Sequence, residues 1–194
     1  MGLEIKNLVK RYGSKLIFDN FNLSLPNTGV FAIMGESGAG KTTLLRLISG
    51  LDTDFSGEII GGGMINCSFA FQEYRLFPVL SALDNLIFAV SDKRDEKIIK
   101  EAKDLLFSLG FAEEDLDKLP SSLSGGMKQR VSIGRSILKK APILLLDEPT
   151  KELDADNVSL VLDLLKKESK ERLLIIVTHR IEDCLKLGAE IINI

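Results

Sequence analysis

A glycine-rich stretch at residues 35–42, GESGAGKT, contains the residue types that bind phosphate. Its glycines allow the backbone to turn tightly and to point successive amides at phosphate oxygens. Lys41 offers a positive charge to the outer phosphates of a nucleotide, and the hydroxyl of Thr42 is a suitable ligand for Mg²⁺. An apolar run precedes the stretch and a helical pattern follows it, which is the setting of a Walker A loop. The spacing therefore predicts a nucleotide phosphate site.

A pair of acidic residues, Asp147 and Glu148, follows a second apolar run, ILLL. Parallel α/β sheets bind ligands at the carboxyl ends of their strands, so both carboxylates are expected to face the phosphates. Asp147 is suited to be a ligand of Mg²⁺, and Glu148 is suited to hold the water that attacks the terminal phosphate. A solvated acidic turn would explain the pair alone, but its occurrence together with a phosphate loop favours catalysis.

A second glycine turn lies in SSLSGGMKQR, residues 121–130, at the start of a predicted basic helix. Ser124 is a natural N-cap residue. The free amides at a helix start attract anions. Taken alone, the turn predicts the start of a helix and leaves the identity of any anion undetermined.

Short apolar runs recur along the chain, each about the length of a strand. They are VFAIMG from residue 30, CSFAF from 67, ILLLDE from 143, LLIIVTH from 173 and EIINI at the end. Such runs, separated by helical patterns, predict an α/β fold with a mainly parallel sheet flanked by helices. The opening LEIKNLVKRYG alternates instead, which predicts a half-exposed N-terminal antiparallel β element near the edge.

The middle of the chain carries helical patterns and no convincing strand. Apolar residues at helical spacing predict a helix over 95–109, and Gly110 is suited to end it. We expect a single domain over 1–194, in which an α/β core of 1–72 and 125–194 carries a helical subdomain insert at 73–124.

The composition argues against several classes of protein. A net charge of −3 gives no reason to expect nucleic acid as a partner, because nucleic-acid binders usually carry a basic surplus. Cys67 and Cys184 are expected to be buried thiols, since two cysteines form no disulfide framework. One histidine, His179, leaves a structural zinc site short of ligands. There is no signal-peptide pattern and no apolar run of membrane-spanning length.

Taken in order, the motifs resemble those of the ATP-binding subunit of an ABC transporter, and the resemblance covers essentially the whole chain. AFQEYRLFP carries Gln72 at the place of the Q-loop glutamine, and LSGGMKQR matches the signature motif. ILLLDEP matches Walker B, KELD matches the D-loop, and IVTHR places His179 as the switch histidine. Tyr12 in RYG matches the aromatic residue that stacks on adenine. The sequences of these motifs are most similar to those of importers of the nitrate, sulfonate or taurine type.

The resemblance implies a P-loop NTPase fold of the ABC-ATPase type and an Mg²⁺-dependent ATPase coupled to transport. The residues implied for ATP binding are Tyr12, Gly35, Glu36, Ser37, Gly38, Ala39, Gly40, Lys41, Thr42 and Thr43. Those implied for Mg²⁺ are Thr42, Gln72 and Asp147, and those implied for catalysis are Lys41, Gln72, Glu148 and His179. Ser124, Gly125 and Gly126 would contact, in trans, the ATP held by a partner subunit.

The partners implied by the resemblance are ATP, a second ATPase subunit in a head-to-tail homo- or heterodimer, an integral membrane transporter subunit and a solute-binding protein. The implied location is cytoplasmic and peripheral, on the cytoplasmic face of the cell membrane. Tyr74, Leu76 and Phe77 are candidates for docking on the membrane subunit, although Leu76 and Phe77 also fit a core.

Two other functions stay open from the sequence. One is a soluble ABC-type ATPase in DNA repair, chromosome maintenance or translation, although the chain has neither a long coiled coil nor a second cassette. The other is a non-hydrolysing regulatory cassette. Glu148 and His179 oppose that possibility, and Lys151, where the D-loop usually begins with a small residue, leaves it open.

Overall fold

The computed structural model describes residues 2–91 and 95–194. The strands are β1 (Leu3–Tyr12), β2 (Lys15–Leu25), β3 (Gly29–Met34), β4 (Ser56–Ile60), β5 (Cys67–Ala70), β6 (Ile143–Asp147), β7 (Leu173–Val177) and β8 (Glu190–Asn193). The helices are α1 (Lys41–Ile48), α2 (Ala82–Ile87), α3 (Glu96–Ser108), α4 (Gly125–Leu138), α5 (Ala155–Glu168) and α6 (Ile181–Leu187). Single 3₁₀ turns lie at Glu113–Asp115 and Pro120–Ser122.

Five strands form a parallel sheet in the order β5-β6-β7-β3-β8. The interior strands β6 and β7 are buried at every residue, which explains why their sequences are apolar without alternation. Successive residues of β6 enter two separate cores. Leu144 and Leu146 pack on one face of the sheet, and Ile143 and Leu145 pack on the other. The predicted α/β fold with a mainly parallel sheet flanked by helices is confirmed.

A smaller antiparallel sheet forms from β2, β1 and β4, in that order. The predicted antiparallel N-terminal element is therefore present, but β1 is the central strand of its own sheet and not an edge strand. Leu3 and Ile5 are buried, whereas Glu4 between them is half-buried and Lys6 after them is exposed. Alternation reports that one face of a strand is covered; it does not report whether a strand has one neighbour or two.

The stretch 73–124 carries α2, α3 and the two 3₁₀ turns, with no strand among those of its residues that the structure describes. Side chains set the helix starts: Ser81 Oγ accepts from the amide of Asp84 at 3.0 Å, and Asp95 Oδ1 accepts from that of Lys97 at 2.7 Å. Gly110, with φ of 77°, follows the end of α3. The boundaries of the helical subdomain stay a prediction.

The longest helices, α4 and α5, have 14 residues each. A membrane crossing needs about 20 apolar residues. Within residues 2–91 and 95–194, no helix is long and apolar enough to span a membrane. Cys67 and Cys184 are buried free thiols, as predicted.

Candidate functional site

An open cleft of about 580 Å³ lies at the carboxyl-terminal edge of the parallel sheet. The glycine-rich loop 35–42 lines it between β3 and α1. Gly38 and Gly40 adopt φ of 83° and 102°, a region that favours glycine. A Cβ on Gly40 would also lie 2.5 Å from Cγ2 of Ile17. The loop therefore needs glycine at position 40 for its conformation and for space.

The first two residues of α1, Lys41 and Thr42, line the cleft. Lys41 Nζ donates hydrogen bonds to the carbonyl oxygens of Gly35 at 2.9 Å and Glu36 at 2.8 Å. Thr42 Oγ1 donates to Asp147 Oδ2 at 2.8 Å. Burial raises the pKa of Asp147, although the Thr42 hydrogen bond and nearby cations oppose it. The start of α1 and the end of β6 thus present an ammonium, a hydroxyl and a carboxylate together.

Thr42, Gln72 and Asp147 line one cleft, and the side chain of each carries an oxygen atom, the kind of ligand that Mg²⁺ prefers. Among the residues that the structure describes, no group of three or more His, Cys, Asp or Glu side chains could hold a metal. Thr42, Gln72 and Asp147 contain only one residue of those four types, and their oxygen atoms would fit an Mg²⁺ ion.

Glu148 follows β6 directly and adopts φ of 51°, which is unusual for a residue with a side chain. Its amide donates to the carbonyl of Val177 at 2.9 Å, which ties the turn to the end of β7. Its Oε1 lies 3.3 Å from Nε2 of His179. Burial raises the pKa of Glu148, against the opposing charge of His179. The left-handed turn brings Asp147 and Glu148 into the same cleft.

Most residues implied by the sequence meet at this cleft. Those that line it are Tyr12, Ser37, Gly38, Gly40, Lys41, Thr42, Thr43, Gln72, Asp147, Glu148 and His179. Gly35, Glu36 and Ala39 belong to the loop but do not line the cleft; the first two contact Lys41 through their carbonyls. The cleft also includes residues that the sequence reasoning missed as site residues: Lys15, Ile17, Lys151, Val177 and Arg180. Lys151 and Arg180 belong to the quoted motifs KELD and IVTHR, and this position within a motif is the signal that could have identified them.

The second glycine turn lies apart from this cleft in the same chain. Ser124 Oγ accepts from the amide of Met127 at 3.2 Å and so begins α4. The Tyr74 hydroxyl donates to the Glu152 carboxylate, and both side chains lie against Gly125. A Cβ there would lie 2.7 Å from Glu152 Oε2. The structure therefore does not bring the turn to the phosphate loop of its own subunit.

Comparisons with known proteins agree with this geometry. The sequence pattern of the family described as ABC transporter matches residues 18–151, more than half of the chain. The probable ABC transporter ATP-binding protein PEB1C of Campylobacter jejuni is 36% identical over 194 aligned residues, covering 91% of this chain and 80% of that protein. The aliphatic sulfonates import ATP-binding protein SsuB of Bacillus cereus is 36% identical over 197 residues, covering 96% of this chain and 77% of that protein. The predicted likeness to sulfonate-type importers is confirmed.

The glutamine transport ATP-binding protein GlnQ of Escherichia coli is 35% identical, covering 99% of this chain and 87% of that protein, so identity alone does not single out a solute. Among solved structures, a dimeric post-hydrolysis state of the ATP-binding cassette MJ0796 bound to ADP and Pi has a TM-score of 0.87 and 31% identity. That match covers 99% of this chain and 94% of the other. The chain therefore belongs to the ABC transporter family, as one of its ATP-binding ATPase subunits.

Proposed function

We propose that this chain binds ATP in the cleft, hydrolyses it with Mg²⁺, and thereby drives solute import through a membrane transporter. The observation that carries the proposal is the convergence of Lys41, Asp147, Glu148 and His179 on one cleft beside the phosphate loop. Hydrolysis of ATP needs a positioned water and neutralised charge on the γ-phosphate, in a site that limits solvent. These four side chains are of the types that supply both.

Each group has a role that follows from its place. Lys41 and the amides of 37–42 bind the outer phosphates, because ammonium and amide donors converge there. Thr42, Gln72 and Asp147 would hold Mg²⁺, which would neutralise charge on the phosphates when bound. Glu148 orients the attacking water through its carboxylate, and His179 positions Glu148 from 3.3 Å. The exposed ring of Tyr12 stacks on the adenine base.

The experiment that tests this proposal compares Glu148→Gln with Glu171→Gln, a matched change at an exposed position. Glu148→Gln keeps the size of the side chain and removes its charge. We expect it to retain ATP binding and to lower kcat by about 100-fold or more, as loss of a general base does. The control variant should hydrolyse ATP at the wild-type rate. Full steady-state hydrolysis by Glu148→Gln would remove Glu148 from this role.

A second copy or a similar subunit completes the site in this proposal. Ser124, Gly125 and Gly126 lie away from the cleft of their own chain, yet they form the amide-rich start of a 14-residue helix. In a head-to-tail dimer this turn contacts the γ-phosphate of the ATP held by the partner. The likeness to the dimeric cassette MJ0796 supports this arrangement.

An apolar groove of about 340 Å³ is the proposed contact for the integral membrane subunit. Phe77 and Phe88 line it edge to face, with their ring centroids 4.9 Å apart. Phe77 belongs to the segment that follows Gln72, so the groove adjoins the cleft through that segment. Of the other docking candidates, Leu76 packs on the core and the Tyr74 hydroxyl is bound to Glu152. A chain docked there would lie peripherally on the cytoplasmic face of the membrane, and a solute-binding protein would act on the opposite side.

The relatives named for sulfonate and glutamine transport disfavour a soluble ATPase of DNA repair, chromosome maintenance or translation. A non-hydrolysing cassette is disfavoured by Glu148 and His179, which line the cleft together. Recovery of the chain with a membrane protein from detergent-solubilised membranes would support the transporter role. Recovery with ribosomes or DNA and no membrane protein would contradict it.

A further inference from the structure

Lys10 is a charged side chain that its neighbours cover near the surface of the fold. It lies in β1 and is only 1% exposed. Its Nζ donates to Asp52 Oδ1 at 2.9 Å and to the carbonyl oxygen of Asp54 at 2.6 Å. Burial lowers the pKa of Lys10, but the hydrogen bonds and charges of Asp52 and Asp54 outweigh burial and raise it. The ammonium therefore stays charged, and its hydrogen bonds hold it beside Asp52 and Asp54.

The same carboxylate holds Tyr12. Asp52 Oδ2 accepts a hydrogen bond from the Tyr12 hydroxyl at 2.8 Å, while Oδ1 accepts from Lys10 and from the amide of Asp54. The Lys10 Nζ lies 4.6 Å from the centroid of the Tyr12 ring, close enough for a cation–π contact. Tyr12 is nevertheless 47% exposed and lines the cleft. Tyr12 is thus fixed at its hydroxyl and on one face of its ring.

The anchor of Tyr12 is connected to the phosphate loop through a single helix. Helix α1 begins at Lys41, and Asp52 follows its end, where the Asp52 amide donates to the carbonyl of Arg46 at 3.2 Å. A helix of this length is a rigid spacer of about 1.5 Å per residue. One end of α1 thus carries the phosphate loop, and the segment that follows its other end holds Tyr12 through Asp52.

We infer that Lys10 and Asp52 are positioning residues, which fix the Tyr12 ring so that the base of ATP stacks on the ring face opposite Lys10. The inference rests on the proposed function, in which Tyr12 contacts the base. Lys10 and Asp52 touch neither base nor phosphate in this arrangement; they act through Tyr12. Lys10 and Asp52 therefore affect the contribution of the base to ATP affinity, and they do not affect the contribution of the phosphates.

The test measures binding of ATP and of inorganic tripolyphosphate, each with Mg²⁺, by calorimetry. Tyr12→Phe keeps the ring and loses the bond to Asp52, and Asp52→Asn keeps the shape of the side chain and loses its charge. Both should weaken ATP binding by about 3- to 10-fold, the scale of one hydrogen bond, and leave tripolyphosphate binding unchanged. Tyr12→Ala should weaken ATP binding by about 10-fold or more, as loss of a stacking ring does. In steady state, KM for ATP should rise while kcat stays constant.

The control is Asp19→Asn, the same change at an exposed position of β2, which should bind both ligands as the wild type does. A variant that weakens ATP binding through loss of the fold would also lose tripolyphosphate binding. Thermal unfolding identifies such a variant independently. If Tyr12→Ala loses ATP affinity while Tyr12→Phe and Asp52→Asn do not, the positioning role is wrong and the base contact stands. If Tyr12→Ala binds ATP as the wild type does, the base contact itself is wrong and the inference falls with it.

Discussion

The hydroxyl of Thr42 donates a hydrogen bond to the carboxylate of Asp147 over 2.8 Å, although 105 residues separate the two along the chain. This contact joins the first turn of α1 to the last residue of β6, so the phosphate loop and the acidic strand end are held as one unit. Burial raises the pKa of Asp147, and the Thr42 hydrogen bond opposes that rise. The Thr42 hydroxyl therefore limits the rise in the pKa of Asp147, and the Asp147 carboxylate orients the Thr42 hydroxyl, before any ligand binds.

Replacing Thr42 tests this unit. Thr42→Val keeps the shape of the side chain and removes the hydroxyl, so we expect the Mg²⁺ concentration for half-maximal ATP hydrolysis to rise by about 10-fold or more. Thr42→Ser keeps the hydroxyl and should stay close to the wild type. The measurement is a titration of steady-state ATPase activity with MgCl₂ at saturating ATP. Equal Mg²⁺ requirements for the two variants would contradict a role for Thr42 as ligand.

The stability of the nucleotide-free chain should depend on Glu148 in a pH-dependent way. Burial raises its pKa above the ordinary value of 4.5, so the folded chain keeps this proton to a higher pH than the unfolded chain. The free energy of unfolding therefore falls as pH rises from about 4.5 through the folded pKa. Glu148→Gln has no charge to lose, so it should melt above the wild type at pH 7, and the difference should shrink as the pH is lowered towards 4.5.

Differential scanning calorimetry without nucleotide measures this difference. A gain of about 1 kcal/mol would raise the melting temperature by about 2–4 °C for a chain of this size. Glu171→Gln at an exposed position should melt at the wild-type temperature at each pH. A lower melting temperature for Glu148→Gln at pH 7 would mean that its contacts outweigh the burial of its charge.

Tyr74 should ionise at a higher pH than an ordinary tyrosine. Burial, together with the hydrogen bond to Glu152 and its charge, raises the pKa of Tyr74 to about 12. Its neutral form is favoured in the folded chain, so this contribution to stability is present below pH 10 and is lost as pH rises towards 12. In Glu152→Gln the charge is gone, and we expect Tyr74 to ionise at a lower pH than in the wild type. Absorbance near 295 nm reports the ionisation, with Tyr74→Phe identifying which transition belongs to Tyr74.

The sequence predicted the features that depend on local pattern. Apolar runs indicate the parallel strands, because strands buried on both faces have no polar side. The cleft residues follow from motifs whose members lie within a few positions of one another. Contacts between distant segments could not be predicted in the same way. The burial of Lys10 depends on a loop some 40 residues later, and alternation in β1 did not reveal the strands on either side of it.

A charge in the apolar groove should separate membrane docking from ATP chemistry. Phe88 is 54% exposed beside Phe77, so Phe88→Asp places a carboxylate in the groove with little change to the core. We expect the chain to be lost from detergent-solubilised membrane complexes, while the purified chain binds ATP as before. Leu185→Asp, on α6 and 75% exposed, is the matched control and should remain in the complex. Loss of both variants from membranes would not support the groove as the contact.

Complementation between subunits tests the second glycine turn. Ser124→Arg blocks the turn and Lys41→Ala disables the phosphate loop, so each homodimer should be inactive. If the turn acts across a head-to-tail interface, a heterodimer of the two variants contains one complete site, built from the Lys41 of one subunit and the Ser124 of the other. Its single-turnover hydrolysis should reach about half of the wild-type amplitude, since one of two equivalent sites is intact. If the turn serves its own subunit, the same heterodimer has no complete site and releases no phosphate.

The heterodimer can be isolated with two different affinity tags, which removes both homodimers from the measurement. Ser121→Arg, an exposed position three residues earlier, controls for the added charge and should be active as a homodimer. Hydrolysis at the full rate by isolated monomers would contradict the shared site. An active Ser124→Arg homodimer would do so as well, because the arginine would then occupy no position that ATP needs.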